Sequence, residues 1–183
     1  MKRSALLLAI FTLGILAVDA LAKERPDFTG SWTSQPARAA AGSDGTTVSL
    51  GSGWGESFTL LQDEDTLILE RVFYARNDLQ PAMKFRFALD GSETKNTVLL
   101  GRGEQIQIST TAWDSDKLVI TTVYHVLDAG DGRKLTSKVT QTLSFQPPRF
   151  GRSAWPPSLV IETARSGALG GPSSTTRTVY NRN

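Results

Sequence analysis

Residues 83–145, MKFRFALDGSETKNTVLLGRGEQIQISTTAWDSDKLVITTVYHVLDAGDGRKLTSKVTQTLSF, decide the fold, because they read as five strand-length runs joined by turns. Met83, Phe85, Phe87 and Leu89 alternate with Lys84 and Arg86, the period of two expected of a strand with one buried face. Asp90-Gly91 is a hairpin signal, and SETKNTVLL returns. In the third run Ile106, Ile108, Thr110 and Ala112 share one face. In the fourth, Leu118, Ile120, Thr122, Tyr124 and Val126 do the same after the turn Asp114-Ser115-Asp116. In the fifth, Leu135, Val139, Leu143 and Phe145 are expected inward, against Thr136, Lys138, Thr140 and Thr142 outward.

The same grammar extends to both sides. SFTLLQ and TLILERVFY, separated by Asp63-Glu64-Asp65, predict a hairpin, and Pro81 ends the run that follows. Two last strands are expected at 159–165 and 175–181, after the proline-rich connection QPPRFGRSAWPPS. DTLILE, DKLVIT and PSLVIE each place a turn before the second arm of a hairpin, but at unequal spacing, which argues against a propeller or solenoid. No segment keeps a helical period. The expected class is all-β, a single antiparallel up-and-down barrel of about 8–10 strands, with a β-sandwich as the competing architecture.

Upstream, Lys2 and Arg3 precede an apolar run that ends in Ala20-Leu21-Ala22, the layout of a signal peptide. Residues 1–22 are therefore set apart, and export to the periplasm or beyond is expected. No transmembrane segment is expected in the mature chain. Residues 23–55 read as a short strand at 28–32 and an irregular linker. A helical turn near 37–41 and a strand at 47–50 are open there. Residues 56–183 form the barrel meander, one domain together with 23–55. Loss of Lys2, Arg3 and Asp19 takes the formal charge from +2 to +1, and the remaining basic residues are scattered, so no nucleic-acid partner is expected. With no cysteine, stability rests on burial and not on disulfides.

Catalytic motifs do not assemble. His125 is the only histidine and falls opposite the Leu118 face, with no nucleophile motif to accompany it. The pairs Asp63/Asp65 and Asp114/Asp116 occupy matching turns, where Asp bonds to nearby backbone N–H groups, so no metal is assigned. Gly51, Gly53 and Gly55 superficially resemble a phosphate loop but lack the following lysine and helix, so no cofactor is assigned. The positive signal is the apolar face, which either packs as a core or leaves room for one small ligand. The candidate interior ligand residues are Arg71, Phe85, Phe87, Ile108, Ile120, Tyr124 and Gln141, and the partner is a small hydrophobic or amphipathic molecule. Thr110, Thr122 and Gln141 are the inward polar groups that need partners. The rival reading is a cell-envelope interaction module with a packed core, presenting the loops of Trp54 and Trp155. An enzyme would require acidic residues converging in the barrel mouth.

DFTGSW, ALDGSETKNTV, AWDSDKLVITT and TRTVY resemble a group of uncharacterised secreted bacterial proteins with a lipocalin-like barrel. The likeness covers most of the mature chain and is strongest over 54–121. In the wider calycin pattern of lipocalins, fatty-acid-binding proteins and avidins, a Gly-x-Trp on the first strand packs against a basic residue on the last. The resemblance therefore implies a barrel end closed by Gly30, Trp32 and Arg177, with Arg182 behind it. The other lipocalin motifs and the C-terminal helix are not visible, so no ligand residues carry over.

Overall fold

The computed structural model describes residues 25–35, 51–71, 74–75, 78–79, 82–100, 103–127, 134–147, 156–166 and 173–183. The signal segment, the helical turn at 37–41, the strand at 47–50, and Phe150 and Trp155 lie outside them. The strands are β1 (Gly30–Ser34), β2 (Ser57–Gln62), β3 (Thr66–Arg71), β4 (Tyr74–Ala75), β5 (Asp78–Leu79) and β6 (Met83–Ala88). They continue as β7 (Thr94–Leu100), β8 (Gly103–Asp114), β9 (Lys117–Leu127), β10 (Lys134–Gln146), β11 (Ser158–Arg165) and β12 (Ser174–Arg182). Ten of them make one antiparallel sheet in the order β6-β3-β2-β1-β12-β11-β10-β9-β8-β7, curled into a nearly closed barrel, with β4–β5 a separate pair. The three repeated segments begin β3, β9 and β11, each a second arm. Residues 83–145 form β6 to β10 as expected.

Closure happens between β6 and β7, the two ends of the sheet order, and it is made by side chains. The Asn96 carboxamide accepts from Arg86 N at 2.8 Å and donates to Arg86 O at 2.9 Å, copying the paired bonds of an antiparallel ladder. Thr111 Oγ1 donates to Ala88 O at 2.5 Å. An edge that would otherwise present unpaired backbone is thus covered from inside the barrel.

This seam explains why one strand departs from the expected alternation. On β8, Ser109 and Thr111 are buried and Trp113 packs against the core, whereas Ile106 is 56% exposed. Ile108 sits opposite Val123, on the face away from the buried Ser109–Thr122 pair, whose hydroxyls bond at 2.9 Å. Ile106, Ile108, Thr110 and Ala112 therefore point outward, contrary to expectation. Thr111 must face inward to reach Ala88, and a strand's parity admits no compromise. β6, β9 and β10 follow the expected faces.

The two barrel ends differ in chemistry. At the end carrying the β2–β3, β6–β7 and β8–β9 turns, here the turn end, the entry segment crosses the opening. Phe28 stacks on Trp113 at 6.2 Å and packs against Phe145 at 5.0 Å. Gln62 fixes this segment, accepting from Phe28 N and donating to Pro26 O. Arg25 Cζ lies 5.2 Å from the Trp113 ring. Above, Leu60, Leu67, Leu118, Ile120, Leu143, Leu159 and Ile161 are fully buried. The turn aspartates act locally: Asp63 Oδ1 accepts from Asp65 N and Thr66 N.

The cation closing the turn end is Arg182, not Arg177. Arg182 Cζ lies 5.4 Å from the Trp32 ring, and the guanidinium also donates to Thr29 O. On β12 the even positions face inward, with Tyr180 buried, while Arg177 faces out to Glu162 at 3.9 Å and Gln146 Oε1 at 2.8 Å. Gly30 has a role of its own: at φ 152° a Cβ there would sit 2.7 Å from Arg182 Nε. Its missing side chain is the space through which Arg182 reaches the indole.

Replacing Asn96 with Ala is expected to lower unfolding stability by about 1–3 kcal/mol, since two bonds are lost and the part-buried backbone groups of Arg86 lose their partner. The outward Thr97→Ala change is expected to stay within about 0.5 kcal/mol. Urea denaturation of the two variants checks the difference.

Candidate functional site

In the other half of the barrel, the loop end, the interior is occupied by the chain itself. Residues 51–55, Gly-Ser-Gly-Trp-Gly, fold inward ahead of β2 with φ of 53°, 83° and 91° at Gly51, Gly53 and Gly55. These left-handed values cost glycine little and other residues more. The consequence is a segment whose successive carbonyls point at different walls. Gly51 O accepts from Arg165 Nη2 and Thr176 Oγ1, both at 2.8 Å. Ser52 O accepts from Gln141 Nε2 at 2.7 Å and Thr163 Oγ1 at 3.3 Å. Gly53 O accepts from Arg71 Nη1 at 3.0 Å, and Gly55 O accepts from the Tyr180 hydroxyl at 3.0 Å.

The proton order around Ser52 follows from these partners. Gly55 O only accepts, so Tyr180 spends its proton there, and Ser52 Oγ must donate to the Tyr180 oxygen across 2.5 Å. Ser52 Oγ in turn accepts from Trp54 N at 3.1 Å. Trp54 is 5% exposed, edge-on to Phe58 at 5.3 Å and stacked near Phe87 at 6.4 Å. It is therefore a core residue and not an exposed interaction aromatic.

Two guanidinium groups, of Arg71 and Arg165, reach this half. Burial pushes the Arg71 and Arg165 guanidinium groups below their ordinary pKa, with Tyr180 and Tyr124 respectively opposing the shift. Burial also holds the Tyr180 phenol above its ordinary value, partly offset by the Ser52 bond and by Arg71. The ion pairs Lys84–Glu70 and Arg177–Glu162 lie on the outer face.

Of the expected interior residues, the structure brings Arg71, Tyr124 and Gln141 to this half. Tyr124 is half-buried and sits opposite Gln107 on β8 and Ser137 on β10. Phe85, Phe87 and Ile120 belong to the packed core, and Ile108 lies outside the barrel. Not anticipated were Ser52, Trp54, Thr163, Arg165, Thr176 and Tyr180. Their available signal was alternate-residue phase: Ile161, Thr163 and Arg165 share a face of β11, and Thr176, Thr178 and Tyr180 share one of β12. His125 is exposed, with Nδ1 3.2 Å from Thr136 Oγ1. Among the described residues no group of three or more His, Asp or Glu is placed to hold a metal ion. No described helix is long and apolar enough to cross a membrane.

Compared with family models, with curated proteins and with solved structures, the chain finds no match.

The raised Tyr180 pKa sets an alkaline limit. Above about pH 10 the unfolded chain ionises this phenol before the folded one does, so stability falls as pH rises towards the folded pKa, by at most about 1.4 kcal/mol per pH unit. Tyr180→Phe is expected to start about 1–3 kcal/mol lower at neutral pH, because Gly55 O and Ser52 lose a partner. Its stability should then decline less between pH 10 and 11.5, as read from urea midpoints.

Proposed function

We propose that this chain is an exported barrel protein that binds a small amphipathic molecule in the loop half of its interior. The observation that carries this reading is a change along one inward face, from fully buried aliphatic residues to half-buried ones interleaved with the buried polar Thr122, Ser137 and Gln141. On β9 and β10, Leu118, Ile120 and Leu143 are 0% exposed towards the turn end, whereas Tyr124 and Val139, further along, are only half-buried. Gln105 and Gln107 on β8, joined by a 3.2 Å bond, are half-buried beside them. Solvent therefore reaches a wall that combines amide, phenol and aliphatic surface, the composition typical of a small-molecule site.

Two other features point the same way. A barrel of about eight strands is just filled by side chains, and ten strands enclose more. The sequence likeness to secreted lipocalin-like barrels, with Gly30 and Trp32 beneath a terminal-strand arginine, fits a container fold. Fold likeness alone does not assign a ligand. The signal-like segment at 1–22 supports export, to the periplasm or outside the cell. The second reading, an envelope interaction module, draws on the outward Ile106 and Leu61, which are 56% and 44% exposed.

Native mass spectrometry of the protein purified without detergent from its own host tests the proposal. The expected spectrum carries a discrete added mass that disappears on unfolding. A spectrum of the bare chain with a retained partner protein would favour the interaction module instead.

A further inference from the structure

Asp-Gly occurs in this chain at Asp44-Gly45, Asp90-Gly91 and Asp131-Gly132, and of these Asp90-Gly91 lies within the described residues, in the exposed turn between β6 and β7. Asp90 Oδ1 accepts from Ser92 N at 2.8 Å, which curls the short carboxyl side chain back over the Gly91 peptide between them. Gly91 adopts φ 87° and carries no side chain to obstruct an approach to its N. The turn is anchored on the barrel seam. Leu89 is buried and its N donates to Asp65 O at 2.7 Å, Thr111 Oγ1 donates to Ala88 O, and a Cβ on Gly91 would sit 3.2 Å from Thr111 O. On the returning strand Asn96 makes its two bonds to the Arg86 backbone.

From this geometry we propose that Asp90-Gly91 is a site of spontaneous backbone modification, at which the Asp90 carboxyl and Gly91 N close a succinimide that reopens to isoaspartate. In the first step Gly91 N attacks Asp90 Cγ. The N–Cγ bond forms, Gly91 N gives up its proton, and a carboxyl oxygen leaves as water. In the second step water adds to the ring. Opening at Cγ restores aspartate, whereas opening at the backbone carbonyl carbon of Asp90 leaves the chain running through Cβ and Cγ, with the former carbonyl carbon as a free carboxylate. One water leaves and one returns, so the mass is unchanged and no other reactant is needed. The Ser92 hydroxyl, and then its N–H, hold the Asp90 carboxyl below its ordinary pKa, which keeps it ionised near neutral pH and makes ring closure slow. The exposed turn at Asp114-Ser115 offers a carboxyl in a similar place, but there the Ser115 side chain crowds the attacking N. Isomerisation puts one more atom into the main chain between β6 and β7. Closure of the seam depends on the reach of Asn96 and Thr111 side chains, so the added atom draws Asn96 away from Arg86.

Prolonged incubation of the folded protein at mildly acid pH, followed by digestion and separation of peptides of equal mass, tests the site. A second peptide of unchanged mass, methylated by a protein-isoaspartate methyltransferase, is expected to accumulate at Asp90 and to outpace any at Asp114. Asp90→Glu, whose longer side chain would have to close a six-membered ring, is expected to give none. Asp90→Asn, which passes through the same ring with loss of ammonia, is expected to isomerise at least about tenfold faster than the parent. Isomerised protein separated from the parent is expected to unfold at a lower urea midpoint, by a shift similar to that of Asn96→Ala. Isoaspartate at position 90 in a chain kept in urea but not in the folded protein would overturn the site. Equal accumulation at Asp114 would overturn its assignment to this turn, and an unchanged urea midpoint would overturn its link to the seam.

Discussion

Inside a barrel, each inward polar side chain has to find a partner, because water is scarce there and an unmade hydrogen bond is expensive. In this protein the partners are the carbonyls of Gly51, Ser52, Gly53 and Gly55. Donors from β3, β10, β11 and β12 converge on that one segment: Arg71, Gln141, Thr163, Arg165, Thr176 and Tyr180. The segment ties together strands far apart in sequence, and it carries Trp54 into the aromatic cluster of Phe58 and Phe87. Glycine at alternate positions is what lets five residues serve so many walls.

This arrangement divides the barrel by chemistry. Towards the turn end, Phe28, Trp32, Trp113 and Phe145 close the interior with ring contacts, and Arg25 and Arg182 lie over two of the indoles. That half is an apolar core. Trp113 Nε1 is buried in it without a hydrogen-bond partner among the described residues, a polar atom whose placement follows the stacking of its ring on Phe28. Towards the loop end, the polar lining is anchored on one side by the Gly51–Gly55 segment and left half-buried on the other, around Tyr124 and Gln107. The seam at Asn96 and Thr111 completes the wall without a continuous backbone ladder.

The fold was legible in the sequence where large apolar residues on one side of a strand alternate with charged or hydroxyl residues on the other. β6, with Phe85 and Phe87 against Lys84 and Arg86, and β10, with Leu143 and Phe145 against Thr142, announce both their extent and their faces. β8 misleads for a physical reason: its inward positions hold Gln105, Gln107, Ser109 and Thr111 because they face the polar half and the seam, while Ile106 and Ile108 are left outside. Hydrophobicity reads as inward only where the interior is hydrophobic. Arg177 misleads in a similar way, since being basic and near the terminus says nothing of parity, and only Arg182 shares the phase of Tyr180. Arg71, Tyr124 and Gln141 were legible as inward polar groups. Their partner was not, because a run such as GSGWG carries no periodicity and its contacts are over a hundred residues away for Tyr180 and Thr176.

If the Gly51–Gly55 segment is the fixed interior anchor described, its burial must be as durable as the fold. The chain has no cysteine, so a single Ser52→Cys thiol reports on this position alone, and Glu56→Cys, at an exposed site a few residues on, supplies the reference. Labelling with a thiol reagent in native buffer is predicted to be fast at Cys-substituted Glu56 and limited by global unfolding at Ser52. Equal labelling rates at the two positions would contradict the account, since the loop would then spend its time outside the barrel.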